Sequence, residues 1–140
     1  MTASIGGKTS ISGDSVDISQ DNNYVVTGGG TLGEGVKTWD MRRLENPLRE
    51  FNWSTVDNGD VVNPIVNCVK FVPNQNLILA GVSDDTVSAK CFNALSGTEV
   101  ENFNRVTGNC FSMDVSNNGE MAIFGDSEGA LHMDNLNYTF

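Results

Sequence analysis

A chain of 140 residues is long enough to bury a core, and 39% apolar against 19% charged residues excludes an intrinsically disordered sequence. Its 8 basic and 18 acidic side chains give a net charge of -10, with no Lys or Arg after Arg105, and so acidic a surface excludes nucleic acid as the expected ligand. The sequence holds neither a membrane span nor a signal-peptide core, so Cys68, Cys91 and Cys110 are expected as reduced, buried thiols in a cytoplasmic protein.

In chain order, the segment 1–12 is polar. Its Gly6-Gly7-Lys8-Thr9 lacks the first glycine and the preceding strand of a phosphate-binding loop, and Thr9-Ser10-Ile11 reads as an outer strand of another unit. Val16-Asp17-Ile18-Ser19 then alternates as a short strand ending in a polar turn, and Tyr24-Val25-Val26-Thr27-Gly28 comes next as a second strand. The run 28–33 fits the dinucleotide pattern GxGxxG, but the next element, Val36-Lys37-Thr38-Trp39-Asp40, is a strand, where pyrophosphate binding needs a helix N-terminus. Pro47-Leu48-Arg49-Glu50-Phe51 is a fourth strand, and 54–64 reads as a loop.

The pattern then recurs. Val69-Lys70-Phe71-Val72 and Met113-Asp114-Val115-Ser116 match the first strand, and each is followed by a turn and an apolar run: Leu77-Ile78-Leu79-Ala80-Gly81 and Met121-Ala122-Ile123-Phe124-Gly125. Third strands are expected at 86–92 and 130–133, and fourth strands at 98–103 and 136–140. Three such copies with no helical period predict an all-β protein of about three four-stranded antiparallel units: 13–53, 65–107 and a partial 108–140.

These residues resemble the WD40-repeat β-propeller family. Trp39-Asp40 is similar to the family dipeptide that ends a third strand, Ser83-Asp84-Asp85-Thr86-Val87 to the turn before it, and Ser96-Gly97 to the turn after it. Phe92-Asn93 and Met133-Asp134 stand near the dipeptide position in the later copies, and the Gly-His pair that opens a repeat is absent from all three. The resemblance implies structural blade positions at Thr27, Trp39, Asp40, Asp85 and Phe92, and an incomplete ring of three divergent blades.

No catalytic constellation emerges. His132 is the only histidine and reads as a surface residue, while Asp84-Asp85 and the pair Asp57/Asp60 do not reproduce a calcium loop. The expectation is a non-catalytic protein–protein interaction scaffold without cofactor or metal. Its end blades would expose apolar residues such as Val25, Leu79 and Ile123 unless a protein partner or a second copy of the chain completes the propeller. Leu32 and Val56 and Val61, in the loops 28–35 and 54–64, and the basic residues Arg42, Arg43 and Arg49 are the candidate partner contacts. The alternatives are a structural part of a cytoskeletal or ciliary assembly and a self-closing homodimeric propeller.

Overall fold

The computed structural model describes residues 4, 6, 9–53, 55–57 (backbone only), 59–84, 87–106, 108–136 and 138. Among them there is no helix, and the strands form three antiparallel sheets and one hairpin. The first sheet pairs β1 (Val16–Ile18), β2 (Tyr24–Gly28), β3 (Val36–Asp40) and β4 (Arg49–Phe51) in chain order. After the hairpin of β5 (Thr55–Asp57) and β6 (Asp60–Val62) come the four strands of the second sheet: β7 (Ile65–Val72), β8 (Leu77–Ser83), β9 (Ala89–Asn93) and β10 (Glu99–Asn102). The third sheet has β11 (Cys110–Val115), β12 (Met121–Asp126) and β13 (Leu131–Asn135). Short connections between successive strands permit only this antiparallel meander.

The polar turns carry the repetition at atomic level. After β1, Asn22 donates its N–H to the Ser19 carbonyl, Tyr24 N–H bonds to Ser19 Oγ, and Asn23 N–H to the Asp21 carboxylate. After β11, Gly119 N–H bonds to the Ser116 carbonyl, Met121 N–H to Ser116 Oγ, and Glu120 N–H to the Asn118 side chain. Asn22 (φ 64°) and Gly119 (φ 74°) hold the same left-handed place, which Asn and Gly adopt most readily.

The sheets pack face to face. Val26, Val36 and Phe51 of the first sheet, with Trp53, meet Val69, Ile78, Ala80 and Phe92 of the second. The opposite face of the second sheet, with Cys68, Val72, Leu77, Leu79 and Cys91, meets Met113, Ala122 and Phe124 of the third. β8 is therefore buried on both sides, as its unbroken run Leu77-Ile78-Leu79-Ala80 requires. Turn residues tie the layers together: Gln20 and Asn74 exchange hydrogen bonds of 3.2 and 2.8 Å, and Gln75 Nε2 reaches the carbonyls of Gly119 and Leu136 at 2.7 and 3.1 Å. Among the described residues, two junctions join the three sheets and no ring closes.

Several expectations need correction. The segment 54–64 contains a hairpin: Thr55, Val56, Val61 and Val62 are β-favouring residues on either side of Asn58-Gly59, a strong two-residue turn sequence, and Gly59 has φ 85°. Leu79 belongs to no end face; it is fully buried between the second and third sheets. In the third sheet the register pairs Ala122 with Asp134, whereas Val25 pairs with Trp39 and Ile78 with Phe92. Asp134-Asn135, one residue later than Met133-Asp134, thus occupies the position of Trp39-Asp40. The third strand expected at 86–92 begins at Ala89, with Asp85 and Thr86 outside the described residues, and Leu136, expected in a fourth strand, comes directly after the end of β13.

Candidate interaction surface

The outward face of the third sheet is set by alternation in β12 and β13. Ala122 and Phe124 turn inward to the second sheet, so Met121 and Ile123 turn outward. Their cross-strand partners share that face: Met133 lies opposite Ile123, and Leu131 opposite Gly125. Leu131 is 74% exposed, Met133 67% and Met121 40%, while Ile123 is half-buried. β12 thus repeats the continuous apolar run of β8, a pattern suited to burial on both faces, but among the described residues it has a neighbouring sheet on only one. The exposed carboxylate of Asp114, which pairs across from Ile123, stands beside this apolar surface. Among the described residues β13 has no further strand on its outer edge.

At the other end of the stack, the outward face of the first sheet holds Val16 (47% exposed) and Ile18 (52%), with Val25 half-buried and Trp39 and Thr27 buried. Trp39 Nε1 donates to Thr27 Oγ1 at 3.0 Å, which satisfies the indole N–H inside the sheet's own surface. Neither Trp39 nor Thr27 belongs to the two inter-sheet clusters. Phe92, by contrast, packs into the first junction, its ring 5.5 Å from Phe51 and 6.1 Å from Trp53.

The structure does not gather the expected partner contacts into one site. Leu32 (47% exposed) sits in the loop after β2, which Gly33 N–H ties to the Asn63 carbonyl, and Val61 (69%) lies on β6. The side chain of Val56 lies outside the described residues. Arg42 is committed to Asp40 through Nε (2.9 Å) and Nη2 (2.8 Å), and this pairing holds the Asp40 carboxyl down at about 2. Arg43 is exposed, and Arg49 donates to the Ser96 carbonyl across the first junction. Thr9 and Ser10 are not in a strand; their side chains bind the Glu34 carboxylate in the loop before β3.

His132 corrects the expectation of a surface residue. It does point opposite to Leu131 and Met133, but that direction is inward, and its side chain is only 18% exposed. Nε2 lies 2.7 Å from the Asp126 carboxylate, which also accepts the N–H groups of Glu128 and Ala130. Those bonds, from Ala130 first and then His132, hold the Asp126 carboxyl below its usual value. The pair braces the β12–β13 turn. Among the described residues no group of three or more His, Cys, Asp or Glu side chains is placed to hold a metal.

All three cysteines are free and buried. Burial pushes the Cys91 thiol up to about 12, and the Cys68 thiol is raised by its neighbour Cys110 and by burial. Both Cys68 and Cys110 close on Gly81, where an added Cβ would lie 2.5 and 2.7 Å from their sulfurs. They fill the second junction as small apolar groups. No family model matches the chain, and no curated protein matches it either.

Proposed function

We propose that this chain is a non-catalytic interaction scaffold, a segment of a WD40-like propeller whose third sheet is covered by a partner protein. The apolar outward face of β12 and β13 carries the reading, because the same kind of face is buried against a sheet at both junctions inside the molecule. Its exposed side chains amount to roughly 350 Å2, a size at which the largest patch of a monomer is often functional. Covering that area would contribute about 9 kcal/mol before the entropy of association is subtracted.

Charge favours a different polypeptide over a second copy. The third sheet carries no Lys or Arg, Asp114 flanks the apolar surface, and two copies would bring together chains of net charge -10. A partner with an apolar centre and a basic rim fits this surface best. The propeller reading draws support from the repeated Ser19 and Ser116 turns, the three meander sheets stacked in chain order, and Trp39 at the end of β3.

The native size of the protein in its source cells tests the proposal. The expected result is a complex well above the 15.1 kDa of the chain, from which Leu131→Lys/Met133→Lys is released while its fold is kept. A double variant that stays in the complex would overturn the assignment of this face.

A further inference from the structure

A cleft of about 540 Å3 opens at the turn end of the first junction, within the 300–1,000 Å3 range of small-ligand pockets. It lies between the first and second sheets, away from the open face of the third. Its walls are Tyr24 and Leu48 on one side, and Phe71, Ala94 and Leu95 on the other. Leu48 and Leu95 are 58% and 66% exposed, so they form an apolar lip.

Most polar groups around the cleft are already engaged. Gln20 and Asn74 bind each other, and Asp21 accepts from Ser19 Oγ and Asn23 N–H. Among the buried ones the exception is Thr38, which lines the cleft from β3 and is 4% exposed. Its Oγ1 is the one buried side-chain oxygen or nitrogen without a hydrogen-bond partner among the described residues. A buried hydroxyl left unpaired is costly, so such a group calls for a missing partner. Rotation about χ1 exchanges its methyl and hydroxyl between staggered positions, which lets a ligand recruit the hydroxyl. At the mouth, Arg49 uses one N–H for the Ser96 carbonyl, and its other N–H groups have no partner among the described residues.

We propose that this cleft binds an extended peptide segment of a partner protein by accepting one tyrosine side chain. The ring fills the space between Leu48, Phe71 and Leu95, its hydroxyl pairs with Thr38 Oγ1, and Arg49 donates to a peptide carbonyl beside it. Tyrosine matches because it joins an apolar body to a hydrogen-bonding tip. Phenylalanine would fill the same volume but leave the threonine unpaired. The inference stands apart from what covers the third sheet.

The test titrates acetyl-Gly-Tyr-Gly-amide and acetyl-Gly-Phe-Gly-amide into the 15N-labelled full chain. The expected result is saturable shifts of the Thr38, Phe71 and Leu95 amides, with the tyrosine peptide bound about five- to tenfold more tightly, the range one hydrogen bond supplies. Thr38→Val should remove that preference without lowering the melting temperature, and should raise it slightly, since it deletes a costly unpaired hydroxyl. Leu95→Glu should weaken both peptides. Leu131→Lys should leave both unchanged, which separates this site from the open face. Shifts that never saturate, shifts that map elsewhere, or a tyrosine preference that survives Thr38→Val would each overturn the proposal.

Discussion

Replacing Phe92 by Ala probes the junction on which the stacking depends. The ring is 1% exposed, lies 5.5 Å from Phe51 and 6.1 Å from Trp53, and fills the space between the first two sheets. Neither neighbour can move into the gap easily: Phe51 is anchored on β4 opposite Val36, and Lys90 Nζ stands over the Trp53 ring at 4.9 Å. A buried Phe→Ala change of this kind costs about 4 kcal/mol, a large share of the roughly 5–15 kcal/mol that holds a domain folded. With an unfolding entropy near 2.1 cal/mol/K per residue over 140 residues, the melting temperature should fall by about 14 °C. Urea denaturation supplies the measurement, with an unchanged m-value to show that the unfolded state is the same. Leu131→Ala, at a 74% exposed site, should change stability by less than about 0.5 kcal/mol in the isolated chain. A loss below about 1.5 kcal/mol for Phe92→Ala would refute the packing of the first sheet on the second.

Three other outcomes are expected of the same structure. Thiol titration of the native protein at pH 8 should find Cys91 unreactive, because burial pushes its pKa up to about 12, and all three cysteines should react after unfolding. The carboxyls of Asp40 (at about 2) and Asp126 (lowered) are both below the ordinary 3.8. Their contribution to stability is complete above about pH 5 and is lost as the pH falls through 3.8 toward 2; acid unfolding of Asp40→Asn should show a shallower loss over that window. Gly119→Ala should destabilise the fold by more than about 2 kcal/mol, since the new Cβ would lie 1.8 Å from the Pro73 carbonyl oxygen, whereas Gly129→Ala, with open space around it, should cost only the roughly 1 kcal/mol of its positive φ, as read by thermal melts.

The meander is legible in the sequence because alternation and polar turns are local signals. Val16-Asp17-Ile18 and Tyr24-Val25-Val26 announce strands without any tertiary information, and the strands between 65 and 126 are readable for the same reason. Which face of a strand is covered is not local. Leu79 and Ile123 sit in equivalent apolar runs, yet one is fully buried and the other is half-buried on an open face, because among the described residues the second sheet has two neighbours and the third has one. The same limit explains His132: alternation gives its direction relative to Leu131, and only the stacking of the sheets tells which direction is inward. The hairpin at β5 and β6 escapes a compositional reading although Asn58-Gly59 signals it, since the polar residues of the segment mask its β-branched ones. Thr38 gives no sign at all in sequence; an unpaired hydroxyl exists only once its neighbours are in place.

The claim that the third sheet presents a surface built to be covered is tested most directly by hydrophobic-dye binding to the purified chain beside Leu131→Lys/Met133→Lys. The wild-type chain, whose charge opposes pairing with itself, should bind a hydrophobic dye, while the double variant should bind little dye and melt at an unchanged temperature. A wild-type chain that binds no more dye than the double variant would contradict the account.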